Sequence, residues 1–275
     1  MANNDYLKMT SLDNLRRAYK WIQSNPDALY KSFFRDAYGA YAAASEYNLI
    51  RLRKHLTRNT YEPMHASKLY FPKPSGVLRP YTLMAVDDQL VYQACINIIA
   101  DKLKPIVKKR YLKNIFGHLY AGKSSDFFYI KWQRGYRAYN RAVFNNINQG
   151  YRFVANFDLT SFYDSIDHAV IKHLLNDIDI EHDLIDFLLT CLRIWTSTTW
   201  TNISNVIYHG HGIPQGPISS GLLSEVVLKH LDDRGTLNWK TVKYLRYVDD
   251  IKIFAKKAKP LKHKLVSLCP SGKPA

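Results

Sequence analysis

Two short apolar stretches flank the adjacent acids Asp249 and Asp250, and this pattern constrains the fold more than any other in the chain. Val242 to Lys257 is predicted to form a β-hairpin with the two carboxylates at its tip. Neighbouring carboxylates repel each other, a cost that is tolerable at an exposed turn or beside a cation. A solvated turn and a metal-binding turn therefore both stay open at this point. Two other acid pairs lie in predicted helices and are assigned no chemistry: Asp87-Asp88 and Asp232-Asp233.

A third carboxylate, that of Asp158, lies near the end of another predicted strand. One face of that strand is apolar, since it carries Phe153, Ala155, Phe157 and Leu159. A carboxylate at a strand end can face the tip of a neighbouring hairpin. Asp158, Asp249 and Asp250 would then hold two Mg²⁺ ions, which prefer oxygen ligands. Two such ions stabilise the attacking and leaving oxygens of a phosphoryl displacement.

The net charge predicts a polyanionic partner. The chain has 39 Lys and Arg against 23 Asp and Glu, a formal charge of +16, together with 20 Tyr, 12 Phe and 5 Trp. Bases stack on aromatic rings while phosphates pair with Lys and Arg, so nucleic acid is the leading partner class. A basic protein without such a partner is the alternative. The segment 104–143 combines basic and aromatic residues, and its candidate nucleic-acid contacts are Lys108, Lys109, Arg110, Lys131, Arg134 and Arg137.

The pattern along the chain divides it into three parts. Residues 1–150 are predicted to be mainly helical, with a strand–turn–strand unit within 66–82. Residues 151–257 alternate strands and helices and include a helical insertion near 168–209. Residues 258–275 form a basic tail.

Several further features bear on the kind of protein. No apolar run is long enough to span a bilayer and the first ten residues are polar, so the predicted location is cytoplasmic, with no membrane partner. The three cysteines, Cys95, Cys191 and Cys269, are far apart and are expected to be free thiols.

Four blocks, in order along roughly residues 10–257, resemble the reverse transcriptase family. They look like the fingers block that meets the triphosphate, the first palm block, the block that seats the nucleotide and template base, and the catalytic hairpin: Lys73–Pro80, Phe157–Asp164, Gly212–Ser220 and Tyr244–Asp250. Ser11 to Leu15 also resembles the opening of group II intron-like enzymes.

The resemblance implies an α+β fold with the fingers and palm of a right-hand polymerase, in which an antiparallel palm sheet packs with helices. Residues 1–150 would be the N-terminal helices and fingers, and residues 151–257 the palm, with a fingers-like helical insertion near 168–209. The chain ends 25 residues after Asp250, and residues 260–275 show no helical pattern. A thumb is therefore expected to be absent or truncated, and its role could fall to a partner protein.

The resemblance also implies roles by position. Asp158, Asp249 and Asp250 would be the catalytic metal-binding set, with Asp158 and Asp249 as direct ligands and the Leu159 carbonyl beside them. The other implied contacts are to the nucleotide: Lys73 and Arg79 would neutralise the triphosphate, Gln215 would touch the nucleotide or primer end, and Gly216 would allow close backbone approach.

An aromatic sugar gate is implied at Phe162-Tyr163. Tyr163 lies five residues after Asp158, where the resembling family uses an aromatic ring to exclude the ribose 2′-hydroxyl. Core packing is the alternative for these two rings. The match favours deoxynucleotide substrates.

The implied reaction is RNA-directed DNA polymerisation with two Mg²⁺ ions, or Mn²⁺ in their place. The implied partners are an RNA template, a DNA or RNA primer and deoxynucleoside triphosphates, with a structured non-coding RNA as a further partner. By analogy with retron and defence-associated enzymes, the biological role is phage defence or a retroelement. Two alternatives stay open: a template-independent nucleotidyl transferase, and a non-catalytic RNA-binding protein on a polymerase scaffold.

Overall fold

The protein is described here by a computed structural model covering residues 4–24, 29–72, 76, 78–199, 206–237 and 242–258. Two compact units divide the chain, and both are discontinuous in sequence. Unit 1 consists of Met1–Pro105, Gly122–Phe128 and Tyr163–Val227, and unit 2 of Ile106–Ala121, Tyr129–Phe162 and Leu228–Ala275. The predicted basic tail lies outside the described residues beyond residue 258.

Unit 1 opens with helices, as the spacing of apolar residues predicts. They are α1 (Asp5–Met9), α2 (Leu12–Gln23), α3 (Leu29–Ser32), α4 (Arg35–Ala43) and α5 (Ser45–Thr57). The Ser11 side chain accepts a hydrogen bond from the Asn14 amide and so caps α2. The face of α2 that carries Leu15 and Trp21 is fully buried, because residues three and four apart share one side of a helix.

A two-stranded antiparallel sheet follows and confirms the predicted strand–turn–strand unit. β1 (Ser67–Pro72) pairs with β2 (Leu78–Leu83) from Ser67 opposite Leu83 to Pro72 opposite Leu78. The next helix, α6 (Val86–Val107), is apolar on nearly all sides and buried over 88–100. Its buried Asn97 is satisfied by hydrogen bonds to Asn14, since a polar group inside a core needs a partner.

The second part of unit 1 is also mainly helical. It includes most of α8 (Phe162–Ser165), then α9 (His168–Asp177), α10 (His182–Trp195), the paired short strands β4 (Thr198–Thr199) and β5 (Val206–Ile207), and the first half of α11 (Ile218–Leu237). The helical insertion predicted near 168–209 thus contains two helices, α9 and α10, with a break between them. Asp179, in this gap, has a φ of +63°, a left-handed conformation that an α-helix does not accommodate.

Unit 2 is built on a three-stranded antiparallel sheet. Its strands are β3 (Phe153–Phe157), β6 (Val242–Tyr247) and β7 (Asp250–Ala255), in the order β3-β7-β6. The predicted hairpin is confirmed, because β6 pairs with β7 up to Tyr247 opposite Asp250. β3 pairs with β7 up to Phe157 opposite Ile251.

Helices pack on both faces of this sheet. On one face, Leu231 of α11 packs against a cluster that includes Tyr244 and Ile253. On the other face, Tyr139 of α7 (Trp132–Asn148) joins Leu245 and Phe254 in a second buried cluster. The antiparallel sheet with helices agrees with the predicted α+β class. Because α7 belongs to this core, the boundary expected after residue 150 instead falls inside unit 2.

Among the described helices, none has the length and apolar character required to cross a membrane.

Candidate active site

The predicted acids of the candidate metal site all lie at one end of the unit 2 sheet. Val248 and Asp249 form the turn between β6 and β7, and Asp250 begins β7. Asp158 directly follows Phe157, the last residue of β3 that pairs with β7. Because the two pairings end at neighbouring residues of β7, the three acids lie at the same end of the sheet.

The three carboxylates differ in their protein partners. Asp250 accepts a hydrogen bond from the Tyr139 hydroxyl at 2.9 Å and lies 3.4 Å from the Lys252 ammonium. Within the described residues, the Asp158 and Asp249 carboxylates have neither a hydrogen-bond donor nor an ion-pair partner. Two uncompensated negative charges at one sheet end favour the approach of a cation.

Carboxylate oxygens are the donors that Mg²⁺ prefers, so the chemistry of this set fits that ion. Over the described ranges, however, no three His, Cys, Asp or Glu side chains are arranged as a finished metal-binding group. Leu159, whose carbonyl is an expected ligand, is half-buried directly after Asp158.

Among the candidate nucleotide-binding residues of unit 1, Gln215 has hydrogen bonds to two other parts of that unit. The Gln215 side-chain amide donates to the Asp164 carboxylate at 3.0 Å. The Gln215 backbone is paired with Thr82 of β2 in both directions, because the Thr82 amide donates to the Gln215 carbonyl at 2.8 Å and the Thr82 hydroxyl accepts from the Gln215 amide at 3.2 Å. Hydrogen bonds of the Gln215 side chain and backbone therefore join its loop to Asp164 and to β2.

The remaining residues of these blocks are placed as follows. Arg79 is exposed on β2 opposite Phe71, while Lys73 lies outside the described residues. Phe162 and Tyr163 are half-buried in α8. The Tyr163 carbonyl accepts a hydrogen bond from the Ile213 amide at 2.8 Å, which ties α8 to the loop that carries Gln215.

Gly216 is needed for a reason that the sequence does not reveal. It has a φ of +116°, and a Cβ atom there would lie 2.2 Å from the Tyr30 ring. The expected benefit was close approach of a substrate, whereas the structure shows close approach of a buried aromatic side chain. Sequence patterns also missed Thr82 and Tyr139, since a lone hydroxyl carries no spacing signal.

The predicted nucleic-acid contacts are mostly on the surface of unit 2. The exposed basic residues are Lys108, Lys109, Lys131, Arg134 and Arg137. Two aromatic residues of α7 that lie among them in sequence, Trp132 and Tyr136, are 64% and 47% exposed. Arg110 differs from this expectation. Its side chain is buried and its guanidinium is hydrogen-bonded and ion-paired to the Asp233 carboxylate, so it is not presented to a phosphate.

Comparison with known proteins places these features in a family. The profile described as Reverse transcriptase (RNA-dependent DNA polymerase) matches residues 71–269. Protein YkfC of Escherichia coli (strain K12) is 25% identical over 195 residues, which are 66% of this chain and 43% of YkfC. The group II intron-encoded protein LtrA of Lactococcus lactis subsp. cremoris is 24% identical over 218 residues, 78% of this chain and 32% of LtrA. The chain thus spans less than half the length of these curated relatives.

Solved structures agree at the level of the fold. A partial Cas6-RT-Cas1--Cas2 complex matches with a TM-score of 0.51 at 15% identity, over 97% of this chain and 42% of the other. Telomerase from Candida tropicalis, in complex with a TWJ fragment of telomeric RNA, matches with a TM-score of 0.53 at 12% identity, over 83% of this chain and 42% of the other. The family profile covers well over half of the chain and includes the Gln215 loop and the three acids. The protein is therefore a member of the reverse transcriptase family of enzymes.

Proposed function

We propose that this protein is an RNA-directed DNA polymerase that adds deoxynucleotides to the 3′-hydroxyl of a primer. The observation that carries the proposal is the gathering of three carboxylates at one end of the unit 2 sheet, two of them without a protein counter-charge in the described part. Family membership supports the same reaction class.

Asp158 and Asp249 are proposed as the direct ligands of divalent ions, with Asp250 as the third carboxylate and the Leu159 carbonyl beside them. Bound Mg²⁺ or Mn²⁺, as a pair of ions, supplies Lewis-acid stabilisation of the attacking and leaving oxygens. The free carboxylates of Asp158 and Asp249 support this assignment, because a ligand already neutralised by a protein cation binds a metal less readily.

The nucleotide is proposed to contact residues of the Gln215 region. Arg79 and Lys73 neutralise the triphosphate, Gln215 and Gly216 contact the nucleotide, and Tyr163, beside Phe162, provides the sugar gate. The hydrogen bonds of Gln215 to Asp164 and Thr82 support a positioning function, since they fix the side chain before a ligand arrives.

The RNA template and the primer are proposed to bind basic residues of unit 2. Exposed Arg134 and Arg137 have no ion-pair partner among the described residues, so their charge is available to phosphates. A structured non-coding RNA or a protein that supplies a thumb is a further proposed partner, and a cytoplasmic role in phage defence or in a retroelement is proposed with it. The name of one structural neighbour, which joins RT with Cas proteins, supports the defence alternative.

Primer extension tests the proposed activity. Purified protein is given Mg²⁺ or Mn²⁺, a labelled primer and defined RNA or DNA templates, beside Asp249→Asn. Asp183→Asn is the matched control, since it removes an exposed carboxylate from α10. We expect template-directed incorporation that Asp249→Asn abolishes and Asp183→Asn retains. Incorporation that ignores the template sequence would favour a template-independent transferase. Nucleic-acid binding without incorporation, under any template or metal, would favour the non-catalytic alternative.

A further inference from the structure

A buried ion pair lies directly behind the turn that carries Asp249. The side chains of Arg246 and Asp232 are 0% and 1% exposed. The Arg246 guanidinium donates to both carboxylate oxygens of Asp232, from Nε at 2.8 Å and from Nη2 at 2.7 Å. The Tyr244 hydroxyl adds a hydrogen bond to Asp232 at 2.8 Å. Removing two charges from water is costly, and an apolar pair of similar volume often serves stability equally well. The arrangement therefore calls for an explanation beyond stability.

The Arg246 guanidinium also forms a hydrogen bond to the turn itself. Its Nη1 donates to the Val248 carbonyl at 2.9 Å. Val248 has a φ of +55°, a conformation that is unfavourable for a β-branched residue and that two-residue hairpin turns usually reach with glycine. The local sequence does not favour this turn, so contacts from outside it must hold its conformation. The Arg246 hydrogen bond is such a contact.

The opposite side of the turn is held by the segment 114–117. The Phe116 amide donates to the Arg246 carbonyl at 3.0 Å, and the Arg246 amide donates to the Asn114 carbonyl at 2.8 Å. A Cβ atom on Gly117 would lie 2.5 Å from the Val248 side chain, so the backbone of this segment packs directly on the turn. The turn is therefore contacted both by the backbone of segment 114–117 and by the Arg246 guanidinium.

Two consecutive acids of α11 form ion pairs with the two arginines that support these contacts. Asp232 binds Arg246, and Asp233 binds Arg110. The Arg110 carbonyl accepts hydrogen bonds from the amides of Asn114 and Ile115, at 3.0 Å and 3.1 Å. Helix α11 is thus linked both to Arg246, which bonds to the turn, and through Arg110 to the segment 114–117 that packs on it.

We propose that the Arg246–Asp232 pair is a positioning device that holds the Val248–Asp249 turn and so sets the direction of the Asp249 carboxylate toward divalent metal. This inference rests on the proposed polymerase function. Arg246 touches no substrate in this role and acts through the Val248 carbonyl. If the pair served stability alone, an apolar replacement that folds would leave metal binding unchanged.

The decisive variant combines Arg246→Met, Asp232→Leu and Tyr244→Phe. It removes both charges of the buried pair together with the hydroxyl that is bonded to it, so we expect it to fold and to melt at a temperature close to that of the wild type. The Val248 carbonyl loses its donor, however. Tyr244→Phe alone is the matched control, because it keeps both Arg246 hydrogen bonds to Asp232 and the one to Val248. Arg246→Lys is the conservative variant and cannot reproduce the three-way contact of a guanidinium.

Two measurements report on positioning rather than on folding. Mn²⁺ binding to the nucleotide-free protein, followed by electron paramagnetic resonance, should weaken about tenfold or more in the triple variant, as for other lost supports of metal ligands. The kcat for primer extension should fall about 100-fold, while the Kd for primer–template is unchanged. Arg246→Lys should lie between the triple variant and the wild type, and Tyr244→Phe should match the wild type.

The outcomes separate this inference from the proposed function. A folded triple variant with wild-type Mn²⁺ affinity and wild-type kcat would overturn the positioning role alone. If the triple variant does not fold, wild-type values for Arg246→Lys would overturn it. A wild type that binds Mn²⁺ but incorporates no nucleotide, with weakened Mn²⁺ binding in the triple variant, would support positioning and overturn the polymerase proposal. A wild type that does neither would overturn both.

Discussion

The Tyr139 hydroxyl donates a hydrogen bond to the Asp250 carboxylate at 2.9 Å. The donor comes from the helix on one face of the sheet, and the acceptor is the first residue after the turn. Burial, followed by the hydrogen bond to Asp250, raises the pKa of Tyr139, so the hydroxyl stays protonated and remains a donor. Asp250 is thereby distinguished from Asp158 and Asp249, which have no donor in the described part of the chain. The distinction supports Asp158 and Asp249 as the direct ligands.

Tyr139→Phe tests this division of roles. The ring should stay in place, because it packs against Phe116 and Tyr247 at centroid distances of 5.5 Å and 5.7 Å. Loss of a hydrogen bond to a charged group should lower the free energy of unfolding by about 1–2 kcal/mol. The incorporation rate should fall only several-fold, far less than for Asp249→Asn. Urea denaturation and primer extension measure the two effects.

Tyr136→Phe is the control for this substitution, since its ring also contacts Tyr247 but its hydroxyl has no partner among the described residues. It should change neither quantity. A loss of incorporation in Tyr139→Phe as complete as in Asp249→Asn would contradict the secondary role of Asp250.

The hydrogen bond between Gln215 and Asp164 supplies a second prediction. Gln215→Glu replaces the amide donor with a carboxylate beside Asp164, so it should destabilise the protein by about 1–3 kcal/mol and raise the KM for the deoxynucleotide. Asp164→Asn in the same chain restores a donor–acceptor pair and should recover part of both losses. A double-mutant cycle in unfolding free energy should give a coupling of at least about 1 kcal/mol. Strictly additive effects would mean that the two side chains do not interact.

The sugar gate at Tyr163 is a third prediction, with Phe162 as its internal control. Tyr163→Val should admit ribonucleotides and relax the preference for deoxynucleotides about tenfold or more, because a smaller side chain leaves room for the 2′-hydroxyl. Single-nucleotide incorporation of matched ribo- and deoxynucleotides measures the ratio. Phe162→Val should leave it unchanged. Relaxation by Phe162→Val instead would place the gate one residue earlier.

The sequence was sufficient to predict the β6–β7 hairpin, because its evidence is local. Two apolar strand segments around Asp249-Asp250 give the hairpin, and the alternating strand before Asp158 gives its neighbour. Order along the chain then related both to the family. No such local pattern exists for the contacts that hold the turn, because Asp232 and Arg246 are 14 residues apart on a helix and a strand.

Charge patterns were the least reliable guide to position. Lys108, Lys109 and Arg110 form one basic run, and a run of this kind predicts a solvated face. The structure exposes the first two and buries the third, whose guanidinium is ion-paired with the Asp233 carboxylate. The Asp232-Asp233 pair, to which no chemistry was assigned, turns out to hold two arginines. Which acid pairs with which arginine depends on how the helix, strand and loop pack together, and the local sequence does not determine it.

His118 gives a prediction for the dependence of stability on pH. Burial, followed by the positive charge of Arg246, lowers the pKa of His118 to about 4. The ordinary value is about 6.5, so between these values the unfolded chain binds a proton that the folded chain does not. The contribution of His118 to the free energy of unfolding should therefore be fully present above pH 6.5 and be lost as pH falls toward 4. At pH 5 the loss should be about 2 kcal/mol.

His118→Asn isolates this contribution. Asparagine tolerates the left-handed backbone at this position, where φ is +47°, and it does not titrate. The variant should be less stable than the wild type at both pH 7 and pH 5. The difference between its unfolding free energies at the two pH values, measured by urea denaturation, should be smaller than in the wild type by about 2 kcal/mol. His55→Asn, which removes an exposed histidine, should leave the wild-type difference intact. An unchanged difference in His118→Asn would show that this histidine is not the group that titrates.

Gly216 provides the last prediction, which concerns the loop that carries Gln215. Gly216→Ala would place its Cβ 2.2 Å from the Tyr30 ring at a φ of +116°. The ring cannot easily move, because Tyr30 is buried and its hydroxyl donates to the Thr82 carbonyl at 2.8 Å. Overpacking together with backbone strain should cost about 3 kcal/mol in unfolding free energy. It should also raise the KM for the deoxynucleotide, since Thr82 supports Gln215.

Gly210→Ala is the matched control in the same loop, because a Cβ there meets no atom within 4 Å. Its effect on unfolding should stay within about 0.5 kcal/mol. Tyr30→Leu removes the clashing ring, at the cost of its buried contacts and its hydrogen bond to Thr82. In the Tyr30→Leu background Gly216→Ala should therefore cost less unfolding free energy than in the wild type, since only the backbone strain remains. If Gly216→Ala cost as much in both backgrounds, the contact with Tyr30 would not be the reason that glycine is required, and close approach of a substrate would regain its place as the explanation.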